Sequence, residues 1–386
     1  MSPSSLYPGA TLGVLGGGQL GAMFAAAALR LGYRVAVWDP DESAPAHRLA
    51  DHSLTAPFTD ARAADSWTHT VDAVTIEWEN VPATLCERLA ERLPVRPSAA
   101  VLRLIQDRIA QKEFLHARGF PVPLFHVITT PDQLAGAVRA LGGTVICKTA
   151  TSGYDGKGQW TVRGAGEMAS VTQALAAMRP SGMRWIAEAC VDFACELSVL
   201  VVRGADGTEQ VYPVSENRHE GGILRLSVIP ARVDAGVAQE AADLACRAVR
   251  ALEGVGVFCV ELFVARGGGL LINEIAPRPH NSGHYTLNAC PVSQFEQQVR
   301  ALTGLPLGEV RLLSPAAMVN VIGSDLAKVT TDPGCRDLLA IPGAVLHLYG
   351  KRVVKPGRKM GHVTFLADDR AQAVARAEGL LARLSQ

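Results

Sequence analysis

The chain has 386 residues, 48% of them hydrophobic, and its formal net charge is zero. This length predicts two or three domains, and neutrality without a basic run argues against a nucleic-acid-binding protein. No stretch approaches the apolar length of a membrane span, and the opening residues MSPSSLYPGA do not predict a secretory signal.

Cysteine and lysine usage narrows the class further. The eight cysteines are irregularly spaced without a C-x-x-C pair, which predicts a reduced cytoplasmic protein and no cysteine-bound metal. Lysine occurs at only seven positions, so this chain keeps lysine for places where a compact ammonium is useful. This usage nominates Lys148, Lys157 and Lys351 as functional residues.

The first predicted unit is a strand, a helix and a strand around a glycine-rich loop. Thr11 to Leu15 has the pattern of an apolar strand, Gly16 to Gly21 form the loop, and a strand from Arg34 to Trp38 ends at Asp39. This order predicts a parallel sheet and fits the dinucleotide-binding pattern. The loop indicates phosphate at a helix N-terminus without specifying NAD. The alternative is a tight turn that only lets helix and strand pack closely.

Two acidic residues, Glu77 and Glu79, follow the next predicted strand, Ala73 to Ile76. Ligands of open parallel sheets lie beyond the carboxyl ends of the strands, so these carboxylates are candidates for a binding site. Favourable charge at a helix N-terminus is the alternative. Two further helices are predicted, from Ser98 to Gln106 and from Asp107 to Ala117.

A second unit is predicted after the break at Phe120 to Pro123. Its strand Thr144 to Thr149 carries Lys148, either as a cation for nucleotide phosphates or as a lysine whose head reaches solvent. A glycine-rich loop from Ser152 to Gln159 follows and contains Lys157. Glycines let a backbone close over phosphate oxygens, whereas a ligand-free hairpin turn rarely needs so many glycines plus a lysine.

A β-hairpin is predicted around Gly267 and Gly268, with strands from Val255 to Val264 and from Leu270 to Ala276. If Ala265 pairs with Leu270, Glu261 lies opposite Glu274, where like charges repel. A one-residue slip of register would remove the pair. Otherwise the two carboxylates share a proton or bind a hard dication such as Mg²⁺.

The segment after the hairpin favours the dication. Its prolines and glycine exclude a regular helix, and its polarity excludes a core strand. We therefore predict a binding loop beside a metal. Its polar residues are Arg278, His280, Asn281, Ser282 and His284.

The remaining chain is predicted to contain a helix from Gln294 to Leu302 and, from Ser314 onward, short strands and turns. One hairpin, with strands Val345 to Val354 and Met360 to Leu366, has Pro-Gly at the centre of a type II turn. Lys351, Arg358 and Lys359 cluster near this turn. They form either an anion site or a solvated basic turn.

The residues Glu261 and Asn273 to Arg278 resemble the metal-binding segment of the ATP-grasp superfamily. The continuation Arg278 to His284 resembles, more narrowly, the 5-(carboxyamino)imidazole ribonucleotide synthase family of purine biosynthesis, and the resemblance covers nearly the whole chain. The superfamily usually has asparagine where this chain has Ala276. The third metal ligand is therefore open, with Asn273 a candidate.

The resemblance implies a mixed α/β and α+β fold of ATP-grasp architecture in three parts. These are an N-terminal Rossmann-like parallel-sheet domain (1–108), a small lid domain (109–187) and a C-terminal α+β domain with a terminal β-rich subdomain (188–386). It implies ATP- and bicarbonate-dependent carboxylation of 5-aminoimidazole ribonucleotide through carboxyphosphate, with Mg²⁺ as cofactor. A cytoplasmic homodimer is expected.

The resemblance also implies the site residues. Metal ligands are Glu261 and Glu274, and the catalytic residues are Lys157 and Arg278. ATP is expected at Arg108, Lys148, Gly153, Tyr154, Asp155, Gly156, Lys157, Gly158, Gln159, Glu188, Ala189, Cys190, Val191, Glu196, His219, Asn273 and Glu274. The ribotide is expected at Gln19, Leu20, Glu77, Tyr154, Asp155, Arg278, His280, Asn281, Ser282, Lys351 and Arg358.

Three other functions fit parts of this pattern. An NAD-dependent oxidoreductase would use Gly16 to Gly21 but leaves the glutamate pair unexplained. A related ATP-grasp ligase, such as a formate-dependent glycinamide ribonucleotide transformylase, has the same architecture. A nucleotide-binding module without turnover is the third.

Overall fold

The computed structural model describes residues 5–151, 153, 158–178 and 182–385. Ser152, Tyr154, Asp155, Gly156 and Lys157 therefore lie outside the described residues. In the described part the strands form three sheets, one parallel and two antiparallel. No helix there is long and apolar enough to cross a membrane.

The N-terminal sheet is parallel, with the strand order β3-β2-β1-β4-β5. Its first strand, helix and second strand confirm the predicted start of the chain. The strands are β1 Thr11–Leu15, β2 Arg34–Trp38, β3 His52–Leu54, β4 Ala73–Ile76 and β5 Val95–Arg96. The helices are α1 Gln19–Arg30, α2 Ala61–Trp67, α3 Ala83–Ala90 and α4 Ala99–Gln106.

The middle of the chain forms a four-stranded antiparallel sheet in the order β6-β9-β7-β8. Its last strand in sequence, β9, crosses residues 187 and 188, where one boundary between domains was predicted. The domain bounds stay a prediction. The helices are α5 Arg108–Ala117, α6 Leu134–Ala140 and α7 Ala165–Met178. The strands are β6 Phe125–Ile128, β7 Val145–Thr149, β8 Gln159–Val162 and β9 Trp185–Ala189.

A nine-stranded antiparallel sheet dominates the remainder, in the order β15-β14-β10-β12-β13-β16-β18-β17, with β11 also on β10. Its strands are β10 Phe193–Arg203, β11 Glu209–Val211, β12 Ser215–Glu220, β13 Ile223–Ile229, β14 Gly256–Ala265, β15 Leu270–Ala276, β16 Ala316–Ile322, β17 Ala344–Leu348 and β18 Lys359–Leu366. The terminal strands thus continue the same sheet. The helices are α8 Ala235–Ala251, α9 Thr286–Ala289, α10 Gln294–Thr303, α11 Asp325–Thr330, α12 Gly334–Leu339 and α13 Arg370–Leu384.

The two faces of this large sheet differ in chemistry. One face packs on α8 through buried apolar side chains such as Val199, Val260 and Leu262. Because side chains alternate along a strand, the neighbouring residues Ser198 and Glu261 lie on the opposite face. The face on α8 stabilises the fold. The opposite face is apolar beside α10, where Leu200 and Cys259 lie in a buried cluster, and is polar around Ser198 and Glu261, where chemistry is possible.

Helix α10 joins the large sheet to the N-terminal sheet. The buried Gln298 side chain donates to Thr75 Oγ1 (3.0 Å) and to the Ile76 carbonyl (3.2 Å) at the end of β4. Arg96 donates from β5 to the carbonyls of Ala301 and Leu302. These contacts place the end of β4, where Glu77 follows, against the large sheet.

The prediction that the tail contains only short strands and turns was wrong, because three helices interrupt it. The longest, α13, buries Ala373, Ala377, Leu380 and Leu384 on one face against β16 and β18. The sequence carries the signal for it, since Asp369 is an N-cap residue and these apolar residues follow a helical period.

We predict that Asp369→Ala lowers the free energy of unfolding more than Asp368→Ala does, because the Asp369 carboxylate accepts from the Gln372 amide and caps α13. Urea unfolding measures the change. Asp368→Ala is the matched control and removes an equal charge one residue away. Equal effects of the two substitutions would contradict a capping role.

Candidate active site

A β-bulge at Asn273 sets the position of the two central carboxylates. At the turn the pairs are Val264 with Leu270 and Phe263 with Leu271, so the predicted pairing of Ala265 with Leu270 was wrong. The register then shifts, and Glu261 pairs with Glu274 as predicted. A bulge places two residues of one strand opposite one of its partner and re-aims a side chain. The sequence predicted the pair but not the bulge that produces it.

The two carboxylates have different partners. Glu261 lies 3.1 Å from His280 Nε2, whereas Glu274 accepts from the guanidinium of Arg108 at 2.5 Å. Burial, and then the charge of Glu274, raises the pKa of Glu261 to about 7. Burial alone would also raise the pKa of Glu274, but Arg108 and Lys148 outweigh it and hold this pKa at about 2. One carboxylate is poised to be neutral and the other stays anionic.

The donor set fits a hard dication. Two facing carboxylates that repel each other gain from a cation between them. Within the described residues, one group of His, Cys and acidic side chains offers three ligand atoms within 4.8 Å of one another: Cys259, Glu261 and His280. Burial raises the pKa of Cys259 well above its usual range, so its neutral thiol is a poor ligand. The carboxylates are the better ligands.

Helix α5 holds the bulged strand at the edge of the sheet. Gln111 accepts from the Ile275 amide (2.9 Å) and donates to the Ile275 carbonyl (3.2 Å), so its side chain replaces a neighbouring strand. The next residue, Lys112, donates to the Asn273 carbonyl at 2.8 Å. Neither residue was predicted. No local pattern marks a helix side chain that pairs with a distant strand.

Lys112 and Lys148 share one buried carboxylate, that of Glu188. The distances to the glutamate oxygens are 3.4 Å and 2.8 Å. Burial lowers the pKa of Lys112 to about 8, and the two lysines outweigh burial and lower the pKa of Glu188 to about 2. Lys148 also lies 3.5 Å from Asn273 Oδ1. Lys148, Asn273, Glu274 and Arg108 therefore surround one point between the two antiparallel sheets.

Some of the other residues expected to bind ATP lie near this point, and others form hydrogen bonds elsewhere within the protein. Arg108 donates to the Gly153 carbonyl (3.1 Å), and Gln159 pairs with Lys148 across β7 and β8. Gly158 is the first described residue after residues 154–157, and its carbonyl accepts from the Thr149 amide. Tyr154, Asp155, Gly156 and Lys157 lie outside the described residues.

The segment expected at the adenine edge uses some of its amides inside the protein. The amides of Ala189 and Cys190 donate to the carbonyls of Leu124 and Thr144, so they are unavailable to a base. The Cys190 side chain is exposed, and Val191 is half-buried. A base would have to meet the carbonyls of this segment or the Val191 backbone.

The two residues expected near the ribose contact each other. His219 Nδ1 lies 2.5 Å from a carboxylate oxygen of Glu196, and both side chains are half-buried. Although burial opposes it, Glu196 raises the pKa of His219. The pair is one unit, which the sequence did not indicate.

The glycine loop is closed by the protein's own carboxylates. The Gly17 amide donates to Asp39 (2.6 Å), and the Gly18 amide donates to Glu77 (3.2 Å). A Cβ atom at Gly18 would lie 2.5 Å from a carboxylate oxygen of Glu77, so a larger residue there would displace this carboxylate from the loop. Asp39, the acidic residue of the dinucleotide pattern, thus binds the loop itself. This use argues against an NAD site.

The residues expected to bind the ribotide come from all parts of the chain. Arg278 lies 2.7 Å from Glu79, and its charge opposes the effect of burial on Glu77, whose pKa is raised. Lys351 adds to this opposing effect from the terminal hairpin. Gln19 lines a cavity of about 290 Å³ beside His347 and Tyr349, whereas Leu20 is buried in α1.

The binding loop rests on the large sheet at the polar region around Ser198 and Glu261. His280 Nδ1 lies 2.9 Å from Ser282 Oγ, and the rings of His284 and His362 have centroids 4.8 Å apart and planes tilted by 34°. Asn281 is buried, and neither atom of its amide has a partner in the described part of the chain. A buried amide without partners marks a place where a ligand or water binds.

The basic hairpin has the predicted type II turn. The Arg358 amide donates to the Lys355 carbonyl at 3.1 Å, and Gly357 has φ of 74°, as that turn requires. The first strand, however, ends at Leu348 rather than at Val354. Lys351 donates to the Lys359 carbonyl and Arg358 to the Val353 carbonyl, both at 2.9 Å. Arg358 also contributes to a lowered pKa of Asp41, after the hydrogen bonds from Ser43, so the turn faces the N-terminal domain.

Three family models match successive parts of the chain. A ribonucleotide synthetase preATP-grasp domain matches residues 9–106, an ATP-grasp domain matches residues 113–295, and a phosphoribosylaminoimidazole carboxylase C-terminal domain matches residues 316–376. The N5-carboxyaminoimidazole ribonucleotide synthase of Bacillus subtilis (strain 168) is 42% identical over 366 residues, which cover 95% of this chain and 94% of the relative.

The chain belongs to the N5-carboxyaminoimidazole ribonucleotide synthase family of ATP-grasp enzymes. The N5-carboxyaminoimidazole synthetase of Staphylococcus aureus, complexed with ADP, has a TM-score of 0.92 at 34% identity and covers 99% of both chains. The Aspergillus clavatus enzyme, in complex with ADP and 5-aminoimidazole ribonucleotide, has a TM-score of 0.90 at 34% identity and covers 98% of this chain and 100% of its own. The resemblance in sequence and the ATP-grasp fold are thus confirmed.

The pKa of Glu261 is raised and that of Glu274 is lowered. Matched substitutions of the two residues should therefore have opposite effects on the stability of the metal-free protein. Because the folded pKa of Glu261 is about 7 against about 4.5 unfolded, its contribution to stability is present below pH 4.5 and is lost as pH rises to 7. Glu261→Gln should therefore gain stability relative to wild type between pH 5 and pH 8, and the gain should grow as pH rises through this range.

Glu274→Gln should behave in the opposite way. The lowered pKa of Glu274 stabilises the fold above pH 4.5, so its substitution should lower the free energy of unfolding at neutral pH and less so in acid. Urea unfolding from pH 4.5 to pH 8 compares both variants with wild type. The same pH dependence of stability in both variants would contradict the opposite pKa shifts of Glu261 and Glu274.

Proposed function

We propose that the chain carboxylates 5-aminoimidazole ribonucleotide with ATP and bicarbonate to give N5-carboxyaminoimidazole ribonucleotide, ADP and phosphate. A bicarbonate oxygen attacks the γ-phosphorus of ATP as the bond to ADP breaks, and carboxyphosphate forms. The ribotide amine then bonds to the carboxyl carbon, phosphate leaves, and the nitrogen loses a proton. Atoms and charge balance without an enzyme nucleophile.

The observation that carries the proposal is the convergence of Arg108, Lys148 and the facing pair Glu261 and Glu274 at one point between two sheets. Phosphoryl transfer needs positioned cations rather than covalent chemistry, and this point supplies them. Mg²⁺ held by Glu261 and Glu274, with Asn273 as a further candidate ligand, would neutralise charge on the phosphate oxygens.

The cations in the site must exchange partners when ATP binds. Lys148 is paired with Glu188 and Arg108 with Glu274, so each is already held in place. We assign the phosphates to these two residues and to Lys157, the adenine to Glu188–Val191, and the ribose to Glu196 and His219. The glycines of the lid loop, 153–158, would cover the phosphates.

The ribotide is assigned to the side of the binding loop that faces the N-terminal domain. Arg278 is charged although buried, because Glu79 and Glu77 offset its burial, and it is therefore placed to meet the anionic carboxyphosphate. Glu77, His280, Asn281, Ser282, Gln19 and Leu20 surround the base and ribose in this assignment, with Tyr154 and Asp155 from the lid loop. Lys351 and Arg358 bind its phosphate. A cytoplasmic homodimer belongs to the proposal and rests on the family and on cysteine usage.

The reaction is tested by ADP release with each acid and amine supplied in turn. We expect release that requires bicarbonate and aminoimidazole ribotide together, with one carboxylated product per ADP. Formate with glycinamide ribotide is the comparison. ADP release that depends on formate, or none with any pair, would refute the proposal.

The phosphate assignment predicts a selective loss. Removing one charged hydrogen-bond partner costs about 1.5 to 3 kcal/mol, so Lys351→Ala and Arg358→Ala should each raise the KM for the ribotide roughly 10- to 150-fold. The KM for ATP should change much less, because other residues bind it. Steady-state kinetics with one substrate varied and the other saturating measures both.

Lys355→Ala is the matched control, since Lys355 is an exposed lysine of the same turn. It should leave both constants near their wild-type values. An increase confined to ATP would contradict the phosphate assignment, and no increase at all would make Lys351 and Arg358 part of a solvated turn.

A further inference from the structure

A chain of buried polar side chains crosses the large sheet and ends at the proposed metal site. Ser227 on β13 donates to Asn217 Oδ1 on β12 (2.7 Å), and Asn217 Nδ2 donates to Ser198 Oγ on β10 (2.9 Å). Ser198 Oγ donates to Ser282 Oγ in the binding loop (2.7 Å). Ser227, Ser198 and Ser282 are each at most 1% exposed, and Asn217 is 7% exposed.

The hydrogen bonds in this series of side chains all point the same way, from donor to acceptor, and the series ends at His280. Since Ser198 donates to Ser282, the Ser282 hydroxyl can direct its own hydrogen to His280 Nδ1, 2.9 Å away. The Ser282 amide also donates to this nitrogen, at 3.4 Å. A ring nitrogen that accepts two hydrogen bonds carries no proton, so the proton of the neutral ring lies on Nε2. That nitrogen lies 3.1 Å from Glu261 Oε1.

We propose that Asn217 and Ser198 are positioning residues that hold His280 as the Nε2–H tautomer, so that His280 donates to Glu261 and orients this carboxylate toward the cation. The proposal rests on the proposed function in one respect, the metal-binding role of Glu261. The tautomer itself is a property of the metal-free protein.

The location of the chain supports this role over simple strand cohesion. Backbone bonds already join β10, β12 and β13, so their cohesion does not need side-chain bonds. Ser198 lies directly opposite Glu261 on the neighbouring strand, so the chain passes beside the carboxylate that it serves. Hydrogen bonds to ligating groups commonly set the orientation of a ligand and change metal affinity when removed.

Asn217→Asp reverses the direction of the chain with little change in shape. A carboxylate at 217 accepts from both Ser227 and Ser198, so Ser198 no longer donates to Ser282. The Ser282 hydroxyl then donates to Ser198 and accepts from His280, which favours the Nδ1–H tautomer. Ser198→Ala breaks the chain instead, and Ser198→Thr retains the hydroxyl and should rescue it.

The first readout is the ¹⁵N resonances of the His280 ring in metal-free protein, labelled at histidine and assigned by comparison with His280→Gln. Wild type and Ser198→Thr should show a protonated Nε2 and a bare Nδ1. Asn217→Asp should move the proton to Nδ1, and Ser198→Ala should give a mixture. Two control variants should leave the tautomer unchanged. Asn320→Asp places the same charge on the same face of the sheet but outside this series of hydrogen bonds, and Ser215→Ala removes another buried hydroxyl.

The second readout is the Mg²⁺ concentration at half-maximal activity. Asn217→Asp and Ser198→Ala should raise it about tenfold, with a smaller effect at saturating Mg²⁺, and Ser198→Thr should restore it. Thermal melts first establish that each variant folds, and Ser198→Ala retains the test if Asn217→Asp does not.

The outcomes separate the two levels of inference. An unchanged tautomer in Ser198→Ala and Asn217→Asp would overturn the proposal whatever the enzyme does. A changed tautomer without any change in the Mg²⁺ requirement would overturn the link to the cation. A wild-type protein with normal tautomer and no ADP release would refute the proposed function alone.

Discussion

The bulge at Asn273 is the constraint on which the candidate site depends. Without it, the register at the hairpin turn would continue and Glu274 would not pair with Glu261. A bulge costs a ladder bond at the edge of a sheet, and here helix α5 supplies the missing partners: Gln111 binds both backbone groups of Ile275, and Lys112 binds the Asn273 carbonyl. The carboxylate pair is thus a product of two distant segments that meet at one strand edge.

The charged groups of the site neutralise one another in the absence of ligands. Arg108 pairs with Glu274, Lys148 with Glu188, and Arg278 with Glu79, while Glu77 and Asp39 fill the glycine loop. A buried cation without a partner would cost several kcal/mol, so these pairs let the protein hold buried cations in fixed positions. Anion binding at these cations would then exchange one anion for another rather than bury new charge.

The sequence predicted those parts of the fold that local patterns determine. The strand and helix around Gly16 to Gly21 and the type II turn at Pro356 and Gly357 followed from periodicity and turn chemistry. The pairing of Glu261 with Glu274 was predicted from a register at the turn that the structure does not have, and the bulge at Asn273 restores the pair. Helix α13 was missed although Asp369 marked its start. Lys112, Gln111 and the chain from Ser227 to Ser282 could not be predicted, because each acts through contacts between residues far apart in sequence. The assignment of residues to ATP and ribotide stays a prediction.

The shared carboxylate of Glu188 also indicates which of its two lysines is free to follow a phosphate. Lys112 is fixed by a 2.8 Å bond to a backbone carbonyl, and its side chain is 3% exposed. Burial lowers its pKa to about 8, and Glu188 offsets only part of that effect. Lys148 has a more exposed side chain, and its second contact is the Asn273 side chain, which can rotate, rather than a carbonyl fixed in the bulge. Under the proposed assignment of Lys148 to the ATP phosphates, Lys112 would retain Glu188 and the bulge, and Lys148 would move its ammonium from Glu188 to a phosphate oxygen. One lysine maintains the geometry of the carboxylate pair, and the other is available for the nucleotide.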